Sequence, residues 1–96
     1  MLESALEKWI CKIVKQCGGR AYKWVSPGCS GVPDRICILP EAKIIFIEVK
    51  RPGLEDGQSP RQKKVGAFLQ SLGFTVWRVS DKEDFKFRMR SLGYEV

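Results

Sequence analysis

The sequence predicts a mixed α/β domain with the element order αβββαβα, in which helices flank a mixed central sheet. Three observations predict it. Leu2, Leu6, Trp9, Ile10, Ile13, Val14 and Cys17 recur at helical spacing and form one apolar stripe. Two β-branched runs, Asp34 to Leu39 and Lys43 to Lys50, are separated by Pro40-Glu41-Ala42, a hairpin-length connection. A capped helix opening at Ser59-Pro60 is then followed by the strand-like stretch Phe74 to Val79.

The first helix is expected from about Leu2 to Cys17, because Gly18-Gly19 follows directly as a stop. Arg20 to Val25 is short and rich in aromatics, which suits a strand. The turn residues of Ser26-Pro27-Gly28-Cys29-Ser30-Gly31 make the next stretch a loop. In the second hairpin strand, Ile44-Ile45-Phe46-Ile47 is apolar without alternation, the pattern of a central strand covered on both faces. Pro52 to Ser59, polar with two glycines, reads as a mobile loop. Val65, Phe68, Leu69 and Leu72 supply the apolar face of the second helix, which Gly73 ends. Ser80-Asp81-Lys82-Glu83 has the form of a capping box, with Ser80 as the cap, and opens a last helix through about Leu92. Tyr22, Trp24, Trp77 and the phenylalanines are residues that can stack on splayed bases but are expected mainly in packing, and Trp9 in the core.

A chain of 96 residues is expected to form one domain with a single modest core. Its 44% hydrophobic and 29% charged content is that of a folded, water-soluble chain. Met1-Leu2-Glu3-Ser4 carries charge early, and no apolar run approaches the ~20 residues a membrane span needs, so a cytoplasmic protein is expected. Seventeen Lys and Arg against eleven Asp and Glu leave a net charge of +6, which attracts polyanions, nucleic acid foremost. Cys11, Cys17, Cys29 and Cys37 include no Cys-x-x-Cys pair, and with no histidine they complete no zinc set; free, mostly buried thiols are expected. The absence of histidine also removes Ser-His and Cys-His catalysis and the usual general base. Any chemistry must run on carboxylates, lysine and a bound ion.

Glu48 and Lys50 lie two apart at the end of the most hydrophobic strand and therefore project from one face. Asp34 starts the hairpin partner, behind Gly31-Val32-Pro33, and can reach the same place. Two carboxylates and a strand carbonyl make an all-oxygen site suited to Mg²⁺ or Mn²⁺. Such an ion binds a phosphate oxygen and acidifies a water, while Lys50 orients the water and stabilises developing charge. Taken alone, Glu-x-Lys is an ordinary surface ion pair. The specific signal is the joint order of Gly31 to Asp34, a hairpin spacing, and an apolar run closing on Glu48-Val49-Lys50.

Pro33-Asp34 followed by Glu48-Val49-Lys50 resembles the PD-(D/E)XK nuclease signature. The surrounding residues are similar to the VRR-NUC family of that superfamily, specifically to stand-alone, phage-type members. The resemblance is carried by Glu3 on the first helix, Gly18-Gly19, Gly31 to Arg35, Glu48 to Lys50 and Gln62 on the next helix, and it runs from Glu3 to about Asp84. It implies a restriction-endonuclease-like core in which Asp34, Glu48 and the Val49 carbonyl hold the metal and Lys50 is the catalytic lysine. It further implies that Glu3 completes the acidic set, with Glu7, one turn away on the same face, as the competing acid. Gln62 matches the family's active-site glutamine, which would orient Lys50 or the DNA.

Candidate phosphate contacts are Lys23, Arg35, Arg51, Arg61, Lys63 and Lys64, with the amides at the start of the second helix favouring a phosphate as well. Lys86, Arg88 and Arg90 form a second basic group on the last helix. No motif reads base edges, so recognition of backbone and shape is expected. The resemblance to phage-type enzymes implies a homodimer that resolves Holliday junctions in the host cytoplasm, two symmetric cuts needing two sites. Flap endonuclease or exonuclease action in DNA repair, and a DNA-binding module without activity, are the alternatives.

Overall fold

The computed structural model describes residues 2–51 and 59–96. The loop expected over Pro52 to Ser59 lies, apart from Ser59, outside the described residues. The elements follow the expected order: α1 (Glu3–Gln16), β1 (Arg20–Lys23), β2 (Arg35–Leu39), β3 (Lys43–Val49), α2 (Pro60–Ser71), β4 (Thr75–Val79) and α3 (Lys82–Ser91). One sheet is described, in the order β1-β2-β3-β4. Its first two pairings are antiparallel hairpins, and β4 lies parallel to β3 after the α2 crossover.

Local chemistry sets the boundaries. α1 stops where Gly18 adopts φ 90°, and the N–H groups of Gly18 and Gly19 close back on the Lys15 and Val14 carbonyls at 3.0 Å. Ser59 caps α2 in a full capping box: its hydroxyl accepts the Gln62 N–H at 3.1 Å, and Gln62 Oε1 accepts the Ser59 N–H at 3.0 Å. The cap of α3 is one residue later than expected. Asp81, not Ser80, accepts the Asp84 N–H, at 2.7 Å. The sheet ladder runs on through the Val79 carbonyl, which accepts the Lys50 N–H at 2.8 Å, so Ser80 remains a buried exit from β4. The charged Asp81 also suits the helix dipole better than a hydroxyl.

The two faces of the sheet are built differently. Cys37, Leu39, Ile45, Ile47, Val49, Trp77 and Val79 point to one face, where Leu6, Ile10, Ile13 and Val14 of α1 and Phe85 and Met89 of α3 cover them completely. Trp9 packs edge-on to Phe85, with centroids 5.6 Å apart, at the margin of this core. The other face carries Ile36, Ile38, Ile44, Phe46, Glu48, Val76 and Arg78, and α2 lies over its β3–β4 half through Leu69 and Gly66. Trp24, Phe46 and Phe74 pack in a row there, tilted and then edge-on, with centroids 5.3 and 5.4 Å apart.

The β1–β2 half of that face is open, leaving Ile38 46% and Ile44 36% exposed. The double coverage expected of β3 therefore holds from Ile45 onward and fails at Ile44. Tyr22, Phe68 and Phe87 are exposed rather than packed. Of the cysteines, all free, only Cys37 is buried and Cys29 is exposed. Among the described residues, no helix is long and apolar enough to cross a membrane.

Candidate active site

The site forms where the ends of β2 and β3 meet the first turns of α1 and α2. Val49 anchors the end of β3 in the sealed core, so its neighbours Glu48 and Lys50 emerge on the α2 face. Glu48 is 0% exposed, which is rare for a carboxyl group. The backbone on either side of it is locked. Lys50 N–H bonds to β4, while Val49 N–H donates to Asp34 Oδ2 at 2.7 Å. Asp34 is itself held from the other side, its carbonyl accepting the Trp24 N–H at 3.1 Å. The β2–β3 register pairs Arg35 with Ile47, and one further step sets Asp34 opposite Glu48. The N–H and C=O of one strand residue point the same way, so the Val49 carbonyl faces the Asp34 side.

Burial pushes the Asp34 carboxyl above its ordinary range, and the nearby charges of Glu7 and Glu3 push in the same direction. The Val49 N–H and the Lys50 ammonium oppose that shift. Asp34 thus lies within the fields of both α1 acids and the lysine. Lys50 Nζ donates to Gln62 Oε1 at 3.2 Å, the same oxygen that closes the α2 capping box. One glutamine therefore ties the lysine to the start of a helix.

The two α1 acids differ in what holds them. Glu7 Oε2 receives Arg35 Nε at 2.8 Å and its terminal nitrogen at 2.7 Å, a closed, half-buried ion pair. Glu3 is more open: its Oε1 accepts the Arg51 N–H at 3.1 Å, with the Arg51 side chain 3.9 Å away. Glu3 is the α1 acid left accessible at the rim. No group of three or more His, Cys, Asp or Glu side chains is gathered for a metal among the described residues. The oxygen groups at this end of the sheet are the Asp34 and Glu48 carboxylates and the Val49 carbonyl, with Glu3 held at the Arg51 N–H.

The basic residues divide in a similar way. Lys23, Lys63 and Lys64 are exposed, Arg61 meets the Ser30 hydroxyl, and all but Lys23 lie on the first turns of α2. Arg35 is engaged with Glu7 and the Ala21 carbonyl, and Arg51 leans on Glu3. On α3, Lys86 and Arg88 pair with Glu83 and Asp84, and Arg90 donates to the Val96 carbonyl. Sequence reasoning missed the Glu7–Arg35 pair, for which spacing gives no signal across 28 residues. It also missed a cleft of ≈ 610 Å³ between α2 and the 24–32 segment. Its helical wall, Arg61, Lys64, Val65, Phe68 and Leu69, does follow helical spacing.

Comparison with known proteins agrees with this architecture. The chain is 46% identical over 82 residues, 85% of each chain, to "Putative nuclease p44" of Acyrthosiphon pisum secondary endosymbiont phage 1. It superposes on a solved structure described as "VRR_NUC domain" with a TM-score of 0.85 and 26% identity, covering 96% of this chain and 97% of that one. No family model matches the sequence. A relative and a solved fold, each matching most of the chain, agree on the same assignment: the chain belongs to the VRR-NUC family of nucleases.

Proposed function

We propose that the chain is a divalent-metal-dependent, structure-specific DNA endonuclease that cuts branched DNA as a homodimer and resolves Holliday junctions. The observation that carries the reading is the clamp at the end of β3. Asp34 holds the Val49 N–H at 2.7 Å, Glu48 is buried beside it, and Lys50 is tied to Gln62 at 3.2 Å. Asp34, Glu48 and the Val49 carbonyl are hard oxygen donors and fit Mg²⁺ or Mn²⁺. Glu3, at the rim, would complete the acidic set around the ion. When bound, the ion neutralises phosphate charge and lowers the pKa of a coordinated water.

The chain's own residues supply the rest. Lys50 positions the attacking water and donates to the phosphate oxygen that gains charge, and Gln62 keeps its ammonium aimed into the site. Arg61, Lys63 and Lys64 hold flanking phosphates, with Lys23 and Arg51 at the rim. Arg35 contributes by fixing Glu7, leaving Glu3 as the acid available to the site. A two-fold partner supplies the second site that symmetric cutting requires.

The test is cleavage of four-way junctions, flaps, linear duplex and single strands with Mg²⁺ or Mn²⁺. Paired symmetric cuts in the junction, from a species that sediments as a dimer, support the reading. Cutting of flaps alone would replace the junction with a flap substrate. Binding without cleavage of any of them, with either ion, would reduce the chain to a DNA-binding module.

A further inference from the structure

We propose that the cleft between α2 and the 24–32 segment receives an unpaired nucleotide of the substrate strand, next to the phosphate being cut. The base would lie among Trp24, Val65 and Phe68, and its phosphate between Arg61 and Lys64. The choice of DNA as ligand rests on the nuclease reading, and the cleft's own features carry the remainder.

Position comes first. Arg61, at the mouth of the cleft, is adjacent to Gln62, whose Oε1 receives Lys50 Nζ at 3.2 Å. A strand with one phosphate at Lys50 would run along the start of α2, on which the cleft opens. The walls are also fixed relative to the site. Gly31 takes φ 88°, and a Cβ there would lie 2.7 Å from the Arg61 carbonyl carbon, so the loop backbone rests directly on the first turn of α2. The Arg61 guanidinium closes the same contact on the Ser30 hydroxyl.

Chemistry comes second. Among the described residues the lining is largely apolar and aromatic, its charged members are the two cations Arg61 and Lys64, and no carboxylate lines it. That pairing of an apolar floor with a cationic rim suits a base attached to a phosphate. A base in a duplex has both faces stacked and cannot enter, whereas a nucleotide at a branch point, bulge or flap can present its face. The ≈ 610 Å³ volume is within the roughly 300–1,000 Å³ typical of small-ligand clefts. A second copy of the chain fits less well. A two-fold contact through this patch would bring the Arg61 and Lys64 cations of one copy toward those of the other.

Cys29 lines the cleft and is exposed, and Phe68 lines it at 61% exposure, so both are handles that leave the core alone. The experiment compares binding, in EDTA, to a perfect duplex and to the same duplex carrying one unpaired nucleotide. Alkylating the wild type with N-ethylmaleimide should weaken binding to the second substrate by roughly 5- to 100-fold, the scale of a lost base–aromatic stack, with little change for the first. Cys29→Ser should be insensitive to the reagent. Phe68→Ser, with an unchanged circular dichroism spectrum, should repeat the selective loss.

Equal loss on both substrates, or loss on neither, overturns the proposal. So does conversion of a dimer to monomers on labelling, which would make the cleft a protein interface. Because nothing is cleaved in EDTA, a chain that cuts no substrate but keeps this selectivity would sink the nuclease reading and leave the cleft standing.

Discussion

The two faces of the sheet spend their apolar residues to different ends. Beneath α1 and α3, Leu6, Ile10, Val14, Ile47, Val79, Phe85 and Met89 are at most 1% exposed and make one continuous core. On the other face α2 covers only half the sheet, and the same chain leaves Ile38, Ile44 and Phe68 in solvent. Glu48, Lys50, Gln62 and the cleft all belong to this second, incomplete face. The lesson is one of division. A core sealed on one side is sufficient to hold four strands in register, which frees the other side for groups that a core would exclude. Val49 joins the two, its side chain in the sealed core and its backbone in the site.

The sharpest way to break this division is to change each face separately. Lys50→Ala should lower the cleavage rate by about 10³-fold or more, roughly 4 kcal/mol in barrier, while leaving the melting temperature nearly unchanged. An equal loss of stability would mean that the α2 face is structural as well. Phe85→Ala should do the reverse, costing about 3–5 kcal/mol in chemical denaturation, whereas Ile38→Ala on the open face should cost under about 1 kcal/mol. Comparable costs for the two would show that the open face is covered in solution.

Thiol chemistry sharpens the same contrast. Burial pushes Cys37 up to about 12, so only about one part in ten thousand is thiolate at pH 8. A disulfide reagent should label Cys29 at least about a hundredfold faster than Cys37, the latter reacting as the chain unfolds. Simultaneous labelling would place Cys37 outside the sealed core.

A smaller effect concerns Asp34, whose carboxyl is held above its ordinary 3.8, first by burial and then by Glu7 and Glu3. A raised value means that the folded chain holds this proton more tightly than the unfolded chain. The metal-free protein therefore loses stability as pH rises through the carboxylate range. Asp34→Asn should abolish cleavage yet slightly raise the metal-free melting temperature at pH 7, because a carboxyl disfavoured as an anion is replaced by a neutral group. The gain should vanish once the pH falls below 3.8. A destabilised Asn variant at pH 7 would mean that the bond to Val49 outweighs the charge. Smallest is the β2–β3 turn, where Glu41 and Ala42 sit at φ 64° and 59°. Ala42→Gly should add roughly 0.5–1 kcal/mol of stability without touching activity.

Much of this was written in the chain itself. The helical stripe of α1, the Pro40–Ala42 connection and the Ser59-Pro60 cap predict the element order because each rests on interactions between residues close in sequence. The same is true of Glu48 and Lys50 sharing a face, since strand alternation needs no tertiary information. The α3 cap slipped by one residue because a tertiary ladder, the Lys50 N–H on the Val79 carbonyl, claimed the segment up to Ser80.

Other features existed only once distant segments met. Glu3 and Glu7 are equivalent by spacing. What separates them is Arg35, 28 residues from Glu7, which closes on one acid and leaves the other at the rim. Gln62 is picked out only through the family resemblance, because its contact with Lys50 depends on where α2 lands against β3. The cleft depends on Gly31 lying against Arg61. Sequence by itself thus determined the elements and the charge pattern at the end of β3, all local or periodic properties of the chain. Tertiary structure alone decided which acid stays at the rim and where an apolar cleft opens, because those outcomes are set by the docking of helices on a sheet.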